Sequence, residues 1–145
     1  CFGWIDSIAQ KLDDERTMQK FTPRKSNSVW SKLNKQRIEK LIEQKLMNSA
    51  GLSKIEEAKK NGSWVALNSS DFHAKNNSLP DDLEKVLLKN KKALENFRAF
   101  PQGYRKRFLF WIDSAKTPET RAARIKQTFL MAVANKKPGL KGFKM

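Results

Sequence analysis

From Pro80 to Val133 apolar side chains return every three or four residues, and the runs are cut by proline. That period fits a helix that buries one stripe and fits a strand badly. Pro80 suits a first helical position, and Asp81, Asp82 and Glu84 complement the positive helix start. Leu83, Val86 and Leu87 then face inward. A second run holds Ala93, Leu94, Phe97 and Phe100 and is broken by Pro101. Tyr104, Phe108, Leu109, Trp111 and Ile112 make the third. Thr117 caps a last helix that starts at Pro118 and carries Ile125, Phe129 and Val133. The aromatic and aliphatic residues of these stripes, Trp111 included, are expected to form the main core.

The first 25 residues carry a weaker, two-residue period. Ile8 and Leu12 are in phase for one strand, and Thr17, Gln19 and Phe21 for another, with Asp13-Asp14-Glu15 as the turn. Pro23 ends the second strand because it cannot donate to a ladder. A helix is expected from Val29 to Leu46, capped by Ser28, with Trp30, Leu33, Ile38, Leu41, Ile42 and Leu46 on one stripe. Asn48 caps a shorter helix holding Leu52, Ile55 and Ala58, which stops near Gly62. The Ser- and Asn-rich stretch that follows reads as a linker. The expected organisation is therefore a hairpin with helices at 1–64, a linker at 65–78, a helical region at 79–136 and a basic tail at 137–145. The fold class is α+β, mainly α, with a small β-hairpin packed on helices and a helical subdomain after it.

Function classes are narrowed by what the chain contains. Nine Phe and four Trp among 145 residues are enough for a buried core, so the chain is not a disordered polyelectrolyte. No apolar run approaches the ~18 residues a membrane helix needs, and the expected compartment is the cytoplasm. The lone cysteine, Cys1, and the lone histidine, His73, rule out a Cys/His zinc cluster. No cofactor motif is present: there is no Walker loop, dinucleotide fingerprint, HExxH, CxxC or nucleophile elbow. A small enzyme would have to use Asp6 or His73, and no second carboxylate stands at a diagnostic spacing from Asp6.

The formal charge of +15 attracts polyanions and repels cationic peptides. Residues 61–145 hold 17 of the 30 basic side chains but only 7 of the 15 acidic ones, so the helical half is the more basic. Arg121 and Arg124, three apart on one helix, could join Arg105 and Arg107 in a phosphate-binding surface. The competing reading is a solvated face tied by a Glu–Arg pair.

A second candidate lies in "KFTPRKSNSVWSKLN", residues 20–34. Nothing about folding asks for Arg24 and Lys25 just before a helix start, where cations are mildly unfavourable. Hydroxyls, unpaired N–H groups and a guanidinium at one helix N-terminus suit an anion. The candidate ligand-binding set is Trp4, Asp6, Phe21, Arg24, Lys25, Ser28, Trp30, Ser31 and Asn34. The alternative pairs Arg24 with Asp6, leaves Lys25 in solvent and makes Trp30 a core residue. Arg24 itself is expected to be exposed.

These stretches also resemble a known family. "CFGWIDS" (1–7), "RTMQKFTPRKSNSVWSKLN" (16–34) and "LIEQKLMNSAGLSKIEEAKKNGSW" (41–64) look like the central part of YdeI/OmpD-associated proteins, also labelled bacteriocin-protection proteins. "LPDDLEKVLLKN" (79–90) and "RKRFLFWIDSAKTPETRAARI" (105–125) look like that family's C-terminal helical region. Ser26 and Asn48-Ser49 depart from the family's usual Pro and Thr-Pro but keep turn and cap chemistry. The resemblance implies a bacterial protein in stress or antimicrobial-peptide resistance with a porin as partner, and supplies no enzymatic activity. It also implies a strand and helix upstream of Cys1. The expected function is thus a non-enzymatic binding protein with an anion pocket at residues 21–34. Non-specific nucleic-acid binding is the alternative.

Overall fold

The computed structural model describes residues 2–6, 8–139 and 143, which fall into two compact units divided between Leu67 and Asn68. The architecture is α+β and mainly α, as the periodicities imply.

The first unit opens with an interrupted hairpin. Strand β1 (Trp4–Asp6) pairs antiparallel with β4 (Phe21–Pro23), and β2 (Gln10–Lys11) pairs with β3 (Thr17–Met18). Asp6 faces Phe21 while Gln10 faces Met18, so the first arm holds one residue more than the second between the two pairings. An extra residue of this kind shifts the faces by one, which is why no single alternation runs through the segment. Ile8 lies outside the strands and is exposed. The turn is made where the acidic triplet stands: Leu12 N–H donates to the Arg16 carbonyl at 3.0 Å, and Asp13 Oδ1 accepts from the N–H groups of Glu15 and Arg16. Beyond Pro23, the Arg24 N–H donates to the Gly3 carbonyl at 3.0 Å and carries the pairing one step further.

Helix α1 runs Lys32–Glu43 and is capped by Ser31, whose hydroxyl accepts from the Asn34 N–H. Ser28 is not the cap. Residues 28–30 lie outside the helix because the Val29 carbonyl takes a hydrogen bond from Arg24 and the Trp30 ring packs on that guanidinium. The helix also stops earlier than its apolar stripe. Lys45 adopts φ 57°, and the N–H groups of Lys45 and Leu46 close on the carbonyls of Ile42 and Leu41, a left-handed C-terminal closure. Leu33, Ile42 and Leu46 therefore stay exposed, while Trp30 and Ile38 are buried. Helix α2 (Ser49–Lys60) begins at Asn48, whose Oδ1 accepts from the Ala50 N–H, and is followed by Gly62 at φ 80°. Trp30, Ile38, Ile55 and Ala58 form the small core of this unit, with Met47 and Trp64 against it.

The second unit starts with α3 (Asn68–Asn76), within the stretch expected to be a linker. Its Ser70 and Ala74, four apart, are both buried, and the helix packs on α6. Small residues let two helices approach closely, a face that a search for large apolar side chains passes over. His73, which falls in that stretch, is helical and half-buried, with Nδ1 2.9 Å from Ser78 Oγ.

Helices α4 (Asp81–Leu87), α5 (Lys91–Ala99), α6 (Gln102–Asp113) and α7 (Pro118–Val133) follow at the proline and cap positions. Pro80 and Pro101 occupy the caps, and Thr117 Oγ1 accepts from the Thr120 N–H. Leu83, Leu87, Phe97, Phe108, Leu109 and Ile112 are essentially inaccessible. Trp111 is not among the buried core residues: it is half-buried and stacks on Phe143. No helix among the described residues is long and apolar enough to cross a membrane.

Candidate functional site

The first unit contains a cleft of about 220 Å³ between the β1–β4 ladder and α1. Strand residues with the same parity share a face, so Trp4 and Asp6 of β1 stand together, with Phe21 across the ladder from Asp6. From α1 come Asn34, Arg37, Ile38 and Leu41, spaced i, i+3, i+4 and i+7 along one helix face. Arg24 and Trp30 complete the lining.

Arg24 is the unusual member, only 5% exposed. Its guanidinium carbon lies 3.8 Å from the centroid of the Trp30 ring, and Nη1 donates to the Val29 carbonyl at 3.1 Å. Nε is buried with no hydrogen-bond partner, and so is Trp30 Nε1. Burial draws the guanidinium's pKa below the usual arginine range, and the charge of Asp6 acts in the opposite direction. Asp6 does not pair with Arg24; its Oδ2 accepts instead from Gln19 Nε2 at 2.9 Å. A desolvated cation with no carboxylate in contact costs free energy that a counter-charge would recover.

Behind this pair a second indole makes a tilted contact. Trp64 is 5.2 Å from Trp30 between ring centroids, and Lys35 and Lys59 lie over Trp64.

Six of the nine residues read from the sequence line the cleft: Trp4, Asp6, Phe21, Arg24, Trp30 and Asn34. Lys25, Ser28 and Ser31 do not. Ser31 is spent on the helix cap, and Lys25 is exposed with its carbonyl closing a turn to the Ser28 N–H. Arg37 was not foreseen. Its signal was present, three residues after Asn34 and four before Leu41, but an exposed helical arginine is ordinarily read as solvated.

The four arginines of the second unit do not form a free surface. Arg121 is bidentate on Asp82, at 2.6 and 3.1 Å, and also reaches Asp113 at 3.1 Å. Arg124 donates to the Trp111 carbonyl and to Ser114 Oγ. Arg105 is bonded to Asn77 and to the Ala74 carbonyl. Arg107 donates to the Gly139 carbonyl at 3.4 Å and lies over Tyr104. These bonds tie helices to one another and to the chain after α7. Among the described residues no three His, Cys, Asp or Glu side chains gather to hold a metal ion.

The proline-punctuated helices carry the identification. Residues 77–135 match the family model described as bacteriocin-protection, YdeI or OmpD-associated. That region is similar to the YdeI/OmpD-associated family. Residues 1–54 match a separate model, a domain of unknown function (DUF8412). The two matches divide the resemblance that the sequence motifs suggest over nearly the whole chain. The cleft lies in the part matched by the domain of unknown function, and the Arg121–Asp82–Asp113 network lies in the YdeI/OmpD-associated region. No curated protein and no solved structure matches the chain.

Proposed function

We propose that this chain, similar over residues 77–135 to YdeI/OmpD-associated proteins, is a non-enzymatic binding module whose first unit holds an anionic group in the Arg24 cleft. One observation carries the reading: a buried guanidinium at a cleft, with an unpartnered Nε and no carboxylate in contact among the described residues. An anion in the cleft supplies a counter-charge to the buried guanidinium. Arg37 at the same cleft adds a second cation. Among the described residues that line the cleft Asp6 is the one carboxylate, and binding is the chemistry proposed for it.

The family description connects such proteins with bacteriocin protection and with OmpD. A chain of charge +15 repels cationic peptides, so sequestration is a poor mechanism for it. Protection through a partner, or by masking an anionic surface, fits the charge. Weak non-specific binding of nucleic acid is the second reading. It rests on the same net charge, and it loses support where Arg105, Arg121 and Arg124 are engaged within the protein.

The test is an anion titration at constant ionic strength, following the Trp30 indole N–H in a proton–nitrogen correlation spectrum. Acetate is expected to shift that resonance saturably. Arg24→Met, which keeps the volume and removes the charge, is expected to abolish saturation. A shift that follows only total salt, or persists in Arg24→Met, overturns the reading.

A further inference from the structure

We infer that the ligand of this cleft is a small aromatic monocarboxylate, an inference that rests on the anion-binding reading and names the class of anion. Three independent features of the cleft select it.

The first is charge. Arg24 and Arg37 face one carboxylate, Asp6, around the same small volume. The local balance is a single positive charge. A monoanion neutralises it, whereas a phosphate dianion or a polyanion backbone meets Asp6 with charge left over. Like charges brought together at one cleft repel.

The second is the pair of aromatic walls. Trp4 is 54% exposed and Phe21 57% exposed, on one face of the β1–β4 ladder and at the mouth of the cleft. Two large rings held at a cleft by a rigid ladder offer faces for offset stacking with a third ring. Across from them Ile38 and Leu41 present aliphatic surface. A flat apolar body between these walls removes surface from water on both sides. A bare inorganic anion would leave the rings as wet as before.

The third is size. At about 220 Å³ the cleft falls below the ~300–1,000 Å³ of sites for drug-sized ligands. One ring with one short acidic arm is the scale that fits. Asn34, a neutral donor and acceptor on the α1 face, can bond the second carboxylate oxygen or a ring substituent without altering the charge balance.

The experiment compares benzoate, acetate, inorganic phosphate and benzamide on the full chain at constant ionic strength, with dissociation constants from the Trp30 indole resonance. Benzoate is expected to bind about tenfold more tightly than acetate, from burial of the ring. The double variant Trp4→Ala/Phe21→Ala is expected to lower benzoate affinity to that of acetate. Both residues are exposed, so the fold has little to lose. Arg37→Ala is expected to weaken both acids. Equal affinity for benzoate and acetate, or tighter binding of phosphate than of benzoate, overturns the ligand class and leaves the anion site standing. Saturable binding of benzamide as tight as benzoate overturns the requirement for charge and the anion reading with it. No saturable response to any of the four removes both.

Discussion

The Arg24 guanidinium carbon sits 3.8 Å from the centroid of the Trp30 ring, and both side chains are buried. Two effects oppose each other there. Stacking and the carbons of the arginine stem fill the space over the indole and stabilise it. Desolvation of an ion without a carboxylate partner works the other way. The two separate by substitution. Arg24→Ala removes both and leaves a void, with an expected loss of ~2–4 kcal/mol. Arg24→Met keeps the bulk and removes the desolvated charge, so a change within ~1 kcal/mol is expected. Denaturant melts of the two variants give the answer. If Met is as damaging as Ala, the charge itself holds the stack.

Gly3 makes a second prediction of the same unit. Its φ is +74°, and a Cβ placed there would stand 2.8 Å from Lys54 Cγ and 3.3 Å from the Ala50 carbonyl oxygen. Its own carbonyl accepts the Arg24 N–H, so a shift at Gly3 is transmitted to the cleft. Gly62 has a similar φ, +80°, with nothing within 4 Å of the added Cβ. Gly62→Ala therefore reports the conformational cost alone, ~1 kcal/mol. Gly3→Ala adds the steric clash, and an expected loss of ~2 kcal/mol or more. Equal thermal shifts for the two variants would mean that Gly3 does not lie against Ala50 and Lys54 of α2.

What the sequence shows depends on whether the signal is local. Asn48, Thr117 and the Asp13 turn act within four residues, and each stands where its chemistry indicates. Ser28 and Ser31 are chemically equivalent candidates for one cap. The choice between them is made by Arg24, which captures the Val29 carbonyl from five residues away and keeps Trp30 out of the helix. Helix α3 escapes a search by size because its buried face is Ser70 and Ala74. Of the cleft, the aromatic and cationic members of residues 20–34 were legible as a cluster. The contribution of Arg37 and the burial of Arg24 were not, since both depend on how β4 and α1 come together. The arginines of the second unit were legible as residues and misleading as a surface, because carbonyls of other turns and helices take their donors.

The Arg121 network makes stability depend on pH in a definite direction. The hydrogen bonds from Arg121 hold the Asp82 carboxyl below the usual carboxylate range, and Arg121 is raised in return. A depressed carboxylate contributes stability that is present above its unfolded value, near 4, and is lost as pH falls through the lower folded value. The raised guanidinium loses its share only as pH rises through its own, strongly alkaline value. Between those limits the contribution is flat. The Asp82 side chain is 46% exposed, so solvent screening holds the effect to about 1 kcal/mol. Asp82→Asn is expected to lower stability by that amount at pH 7 and to leave it unchanged near pH 2. A variant that loses the same amount at both pH values would show a packing defect instead.

Trp111 stacks on Phe143 with ring centroids 3.9 Å apart and planes within 7°, and Arg124 lies 5.2 Å from its centroid. The tryptophan thus couples α6 to the tail rather than filling the interior, where Phe97 and Phe108 are fully buried. Truncating a fully buried ring leaves a cavity that neighbours cannot close, at ~3–5 kcal/mol for Phe108→Ala. Trp111→Ala opens a half-exposed site that water refills, and ~1–2 kcal/mol is expected. The stack itself is isolated by a double-mutant cycle with Phe143→Ala. A coupling of ~0.5–1.5 kcal/mol is the range for a well-formed aromatic pair. Additive losses in denaturant melts would mean that the two rings contribute independently. A Trp111→Ala loss equal to that of Phe108→Ala would place the tryptophan in the core after all.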